Sequence, residues 1–167
     1  MITRLSQLWA DSPLAFWLAL LAGLCFLVMA VWLTVIDIRH QLLPNRIVFP
    51  SAGIAGVLLL LVCLVTGDVG AAVRTILGGV VLWAFYVLLR LVYPAGMGYG
   101  DVKLAFVLGL YLGFISWSAI MYATFLAFVL AAVWGIALMV SRRGTGKTQI
   151  PFGPFMLVGA AALMAAG

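Results

Sequence analysis

Leu14-Ala-Phe-Trp-Leu-Ala-Leu-Leu-Ala-Gly-Leu-Cys-Phe-Leu-Val-Met-Ala-Val-Trp-Leu-Thr-Val-Ile36 contains no charged side chain. A helix needs about 20 mostly apolar residues to cross a hydrocarbon core of about 30 Å, and this stretch is long enough. Inside a bilayer every backbone N–H and C=O must be satisfied within the segment, so such a run reads as a transmembrane helix. The stretch is expected to end at the polar turn Asp37-Ile-Arg-His-Gln41. Its reading decides the fold, because the remainder of the chain repeats it.

Leu42-Leu-Pro-Asn-Arg46 leads into a second apolar run, from about Ile47 to Val65, which closes on Thr66-Gly-Asp-Val-Gly70. A third runs from about Ala72 to Tyr93 and stops at Pro94-Ala-Gly-Met-Gly-Tyr-Gly100. From Val102 to Val140 the chain is apolar again. As one helix it would extend about 58 Å at about 1.5 Å per residue, nearly twice the hydrocarbon core. It must therefore fold back, and Gly113 to Ser118 is the expected bend, which makes the fourth helix short. Ser141 to Gln149 is a polar loop, and a last short apolar segment begins at Pro151. The expectation is an all-α, polytopic bundle of about six transmembrane helices, forming one domain over residues 1–167.

Composition agrees. Of 167 residues, 67% are hydrophobic and 8% charged, against about a quarter charged in ordinary soluble domains. No charge-rich or Ser/Pro/Gly-rich stretch divides the chain. Cys25 and Cys63 lie inside apolar runs and read as small packing residues, without disulfide or metal-site spacing. Arg4 alone precedes the first run, which is long enough to span, so no secretory signal peptide is expected.

Six spans place alternate loops on opposite faces. The loops after the first, third and fifth spans hold Arg39, Arg46, Arg90, Lys103, Arg142, Arg143 and Lys147, seven of the nine basic residues. The other face holds Arg4 and Arg74. Basic residues in short loops accumulate on the cytoplasmic side, so both termini are expected outside. The chain has four Asp and no Glu. Asp11 and Asp68 fall on the outer face, where Asp in turns is ordinary. Asp37 and Asp101 fall on the cytoplasmic face, each where an apolar helix meets its loop.

Two carboxylates held close together cannot both ionise, so they share a proton, one serving as base and the other as acid. Such a pair activates water against a peptide carbonyl without a metal, cofactor or nucleophilic side chain. Ionisable groups at membrane depth are costly and point to function, although either Asp alone could simply end or cap a helix. The stretch before Asp101, Gly96-Met-Gly-Tyr-Gly100, has three alternating glycines. They allow close backbone approach, as a loop that aims a carboxylate requires.

These residues carry a resemblance. Gly98-Tyr-Gly-Asp101, extended by Val102-Lys-Leu104, is similar to the Gly-x-Gly-Asp motif of the type IV prepilin peptidases, a family of intramembrane aspartyl proteases that includes archaeal preflagellin peptidases. Asp37-Ile-Arg-His-Gln-Leu-Leu-Pro44-Asn45 resembles the family's first catalytic aspartate with its downstream Pro-Asn or Pro-Asp. Ile150-Pro-Phe-Gly-Pro-Phe155 looks like the motif that opens the family's last helix. The resemblance implies that Asp37 and Asp101 are the catalytic pair, supported by Gly98, Gly100, Lys103, Pro44 and Asn45. It implies a cofactor-free endopeptidase of the bacterial cytoplasmic (inner) membrane. Its activity would be to remove basic leaders from prepilins or pseudopilins at the cytoplasmic face. Many family members carry an N-terminal methyltransferase region with two Cys-x-x-Cys pairs. Neither pair is present in this sequence, so a peptidase-only form is expected.

The expected partners are those membrane-helix substrates and the lipid bilayer, with no nucleic acid. Lys103 could bias Asp101 or contact substrate, and equally could mark topology. Pro44 and Asn45 would shape the turn into the second span. His40 reads as an interfacial bystander, and the loop from Arg142 to Lys147 as a contact for lipid headgroups.

Other classes fit less well. Gly98-Tyr-Gly-Asp101 also ends a potassium-channel filter, but Gly96-Met97 stands where Thr-Val is needed. No nucleophile-elbow pattern surrounds a serine, and no His-Glu-x-x-His pair exists. Gly146-Lys-Thr148 lacks the first glycine and the strand of a P-loop. A non-enzymatic scaffold or a small proton-coupled transporter or channel subunit is the remaining alternative, and the chain shows no internal repeat of the kind transporters use.

Overall fold

A computed structural model describes residues 1–142 and 151–166. Its order is α1 (Ile2–Asp11), α2 (Pro13–His40), α3 (Asn45–Thr66), α4 (Val69–Val92), a single 3-10 turn (Pro94–Gly96), α5 (Tyr99–Ile115), α6 (Trp117–Val140) and α7 (Gly153–Ala166). Among the described residues there is no strand, and the all-α membrane-type bundle is as expected. The six expected spans correspond to α2 through α7. Four of them, α2, α3, α4 and α6, are long and apolar enough to cross a membrane. The other two are shorter, 17 residues in α5 and 14 in α7.

Three details depart from the sequence reading. A short helix, α1, precedes the first span; it was not expected because ten residues with Arg4, Ser6, Gln7 and Asp11 carry no spanning signal. Leu8 is buried while Ile2 and Trp9 stay exposed, and the Trp9 ring meets Phe16 of α2 edge-on at 4.8 Å. The second departure is at the end of α2, which continues through Asp37 to His40 instead of stopping at Ile36. Its buried residues are Ala15, Ala19, Ala22, Phe26, Met29, Leu33 and Asp37. They recur at intervals of three and four, a single helix face, so burial of that face carries the helix one turn past its last apolar residue. Third, α3 and α4 begin two to three residues earlier than the apolar runs, at Asn45 and Val69.

The expected bend is present. α5 ends at Ile115, and the Ser116 side chain accepts from the Ala119 N–H at 3.0 Å to start α6. Serine at an N-cap satisfies one of the first-turn donors that has no intrahelical acceptor.

α5 is the central helix. Twelve of its residues, from Asp101 to Phe114, are buried, and they cover every side of it, as befits a helix that is apolar all round. Close packing against α4 makes this possible. A Cβ on Gly109 would lie 2.4 Å from the Gly78 carbonyl oxygen, and one on Gly113 would lie 2.6 Å from that of Arg74. Small residues let helix backbones approach in lipid, where dispersion and hydrogen bonds drive association. Arg74 Nε donates to the Gly113 carbonyl at 2.7 Å and Nη2 to that of Phe114 at 3.1 Å. A cation thereby closes the C-terminal, negative end of α5. Tyr111 donates to the Ala22 carbonyl at 3.0 Å, tying α5 to α2.

The charged groups sort to the two ends of the bundle. Arg4 pairs with Asp68 at 3.1 Å, and Asp68 also caps α4 by accepting from the Ala71 N–H at 2.8 Å. Arg74 lies at this same end. Asp37, Arg39, Arg46, Arg90, Asp101 and Lys103 lie at the other. Arg143, Lys147 and Ile150, and with them most of the basic loop and the Gly146-Lys-Thr148 segment, fall outside the described residues.

Candidate active site

Asp37 occupies the last turn of α2, on the buried stripe, and is 4% exposed. The chain leaves the helix through Gln41, whose backbone is left-handed at φ 51 and whose N–H donates to the Asp37 carbonyl at 2.9 Å. Leu43 then turns inward and is buried. Pro44 caps α3, its carbonyl accepting from Ile47 and Val48 at 3.0 and 3.2 Å. Pro44 is thus the residue from which α3 starts.

Asp101 arrives from the opposite direction, in the first turn of α5. Gly98 is the N-cap residue, and having no side chain it cannot cap the helix itself. Instead its N–H donates to Asp101 Oδ2 at 3.2 Å, so the carboxylate reaches back over the turn. An acid here also faces the positive end of the α5 dipole. Asp101 is 7% exposed and lies at the same end of the bundle as Asp37. Gly100 must be glycine for space, because a Cβ there would lie 2.7 Å from Leu43 Cβ. The loop before α3 and the start of α5 thus interlock through one leucine and one glycine.

Arg90, near the end of α4, donates through Nη1 to the Met97 carbonyl, and its guanidinium stacks 3.8 Å above the Tyr99 ring. Those contacts hold the glycine-rich turn to α4. Lys103 turns away from Asp101: its Nζ donates to Asn45 Oδ1 at 2.7 Å and lies 5.6 Å from the Phe49 ring centre. Lys103 and Asn45 therefore clamp α5 to α3. His40, three residues after Asp37 at the end of α2, is exposed.

Two residues join the site that sequence reasoning gave no role. Tyr86 of α4 is buried, its ring among Phe128 and Phe152, the latter next to Gly153, each with centroids 6.1 Å away. Nothing in the apolar run around it distinguishes that tyrosine. Gly153, the first residue of α7, approaches so closely that a Cβ would fall 2.6 Å from Asp37 Oδ2. The Ile150 to Phe155 motif was its available signal.

Asp37 Oδ2 is fully shielded and has no hydrogen-bond partner among the described residues. Leaving such an atom unpaired costs about 1–3 kcal/mol. Among the described residues the one ion pair is Arg4–Asp68, at the other end of the bundle, so neither site carboxyl has a salt-bridge partner there. No group of three His, Cys, Asp or Glu residues that could hold a metal occurs among the described residues. The arrangement is a pair of acids in an apolar setting at one end of a bundle, suited to passing protons to and from a water molecule.

Comparison with known proteins points the same way. Residues 24–136, which include both acids, match the model of the type IV leader peptidase family. The chain is similar to the prepilin leader peptidase/N-methyltransferase of Aeromonas salmonicida, with 35% identity over 141 residues, 83% of this chain and 46% of that protein. The like-named protein of Stutzerimonas stutzeri is 34% identical over 127 residues, 75% of this chain and 43% of its own length. That of Pseudomonas aeruginosa is 31% identical over 134 residues, covering 75% and 42%. The chain spans about half the length of these curated relatives. No solved structure matches it.

Proposed function

The chain belongs to the type IV leader peptidase family, and on that premise we propose that it is an intramembrane aspartyl endopeptidase acting on prepilins or pseudopilins. Asp37 and Asp101 are its catalytic pair. The observation that carries this reading is that two buried carboxyl groups, from α2 and α5, lie at one end of the bundle with no salt bridge to either among the described residues. Structural aspartates at helix ends are ordinarily exposed or paired, as Asp68 is.

The chemistry follows from the pair sharing one proton. The ionised carboxylate takes a proton from water as the water oxygen bonds to the scissile carbonyl carbon. The protonated partner gives its proton to the carbonyl oxygen. Collapse of the tetrahedral intermediate breaks the C–N bond: the first acid gives its proton to the leaving amine while the second carboxylate takes back a hydroxyl proton, which restores the pair. Burial strengthens each of these electrostatic interactions by excluding competing solvent. The position at the end of the bundle suits a substrate whose own helix lies in the bilayer and whose leader lies in water. Arg39, Arg46, Arg90 and Lys103 surround that end, which by the positive-inside rule faces the cytoplasm of the inner membrane.

Purified protein in liposomes, incubated with a prepilin, tests the reading by the mass of the product. Asp37→Asn and Asp101→Asn are each expected to lower turnover by about 100-fold or more, the range of general acid–base contributions. Full cleavage by either variant would return the scaffold or transporter alternative. Orientation is read separately in spheroplasts with a membrane-impermeant maleimide. Asp11→Cys should label from outside and Arg46→Cys only after permeabilisation; the reverse pattern would put the site on the other face.

A further inference from the structure

We propose that Gly153 is a positioning residue for Asp37, and that the N-terminus of α7 forms a third wall of the active site. The inference deepens the peptidase reading, on which its kinetic test rests. It begins from the reason a glycine stands at this position. Among the described residues the one glycine with a left-handed backbone is Gly67, so Gly153 is not required by its own conformation. Space requires it: a Cβ would lie 2.6 Å from Asp37 Oδ2, 3.4 Å from Asp37 Cγ and 3.4 Å from Leu43 Cδ1. The closest of these atoms is the buried oxygen that has no partner.

The donors at the start of α7 support the same assignment. The first N–H groups of a helix have no intrahelical acceptor. Phe155 and Met156 both donate to the Phe152 carbonyl, at 3.1 and 3.2 Å. Pro154 has no N–H. That leaves the Gly153 N–H, on the stretch of backbone that lies against the Asp37 carboxyl group. Proline at the second position of α7 thus removes a competing donor, and glycine at the first brings the backbone against the acid. The positive end of the 14-residue helix adds its dipole at the same point.

The consequence is a confined carboxyl group. α2 carries it, the α7 backbone at Gly153 lies against its Oδ2, and Leu43 packs on that same glycine. Any side chain at residue 153 would drive Asp37 from its place. Misplacement of a catalytic group by about 1 Å can cost about 100-fold in rate.

The test uses the full chain in liposomes. Gly153→Ala should lower kcat on a prepilin by about 100-fold and leave KM within about two-fold, because the added methyl acts on the position of Asp37. The contact itself is read without activity, by a cycle of melting temperatures. Gly153→Ala should lower the Tm of the wild type and leave that of Asp37→Ala unchanged, since the oxygen it would strike is then missing. An equal Tm loss in both backgrounds, or wild-type kcat in Gly153→Ala, would overturn the proposal. A wild type that cleaves no prepilin would sink the peptidase reading, and the Tm cycle would still decide the contact.

Discussion

Asp37 Oδ2 is shut away from solvent with no hydrogen-bond partner among the described residues, and that single atom has a predictable cost. Protein stability rests on a small net balance, so a buried unpaired carboxylate is a liability kept for use. Asp37→Asn keeps the shape and removes the charge. It is expected to raise stability by about 1–3 kcal/mol while abolishing activity, as measured by Tm in detergent beside the cleavage assay. A lower Tm would mean that the Asp37 carboxyl group contributes to folding. The converse holds for Lys103. Its bond to Asn45 at 2.7 Å makes it a clamp between α5 and α3, so Lys103→Met should affect stability more than turnover.

Between elements, the decisive contact is α4 against α5. Gly78, Gly79, Gly109 and Gly113 bring the two backbones within van der Waals range, and this sets how deep α5, and Asp101 with it, sits in the bundle. Even a methyl on Gly109 would press 2.4 Å from the Gly78 oxygen, a backbone atom that cannot rotate aside. Gly109→Val is therefore expected to cost about 1–3 kcal/mol or more as overpacking. It should also lower activity, although residue 109 lies more than two turns from Asp101. Thermal melting and cleavage rate would fall together; a stable, fully active Gly109→Val would show that α5 is not held by this contact. α1 illustrates the opposite limit. It is legible only as part of the assembled fold, because ten amphipathic residues are too few to specify a helix without the partner they pack on.

At the scale of the whole molecule the two ends behave differently with pH. At the end away from the site, the Ala71 N–H and then the Arg4 guanidinium hold the Asp68 carboxyl below its ordinary range. A carboxyl group whose folded pKa is depressed stabilises the fold above its unfolded pKa and loses that contribution as pH falls through the folded value. Tm should therefore fall as pH drops below about 4, the ordinary carboxylate value, and Asp68→Asn should flatten that fall. An unchanged profile in Asp68→Asn would place the acid sensitivity elsewhere. The sequence by itself determined the membrane class, the order of the apolar helices, the shortness of the fourth and the bend after it. Each of these depends on local hydropathy, on breakers and on chain length set against bilayer thickness, all read along one dimension. It also placed Asp37 and Asp101 at one end, because counting spans fixes which loops share a face. Only the tertiary structure decided that Asp37 lies within α2, that Lys103 turns to Asn45, and that Tyr86 and Gly153 join the site of the two acids. These outcomes depend on how near one backbone comes to another, and that distance is set by the packing of glycines and side chains from distant parts of the chain.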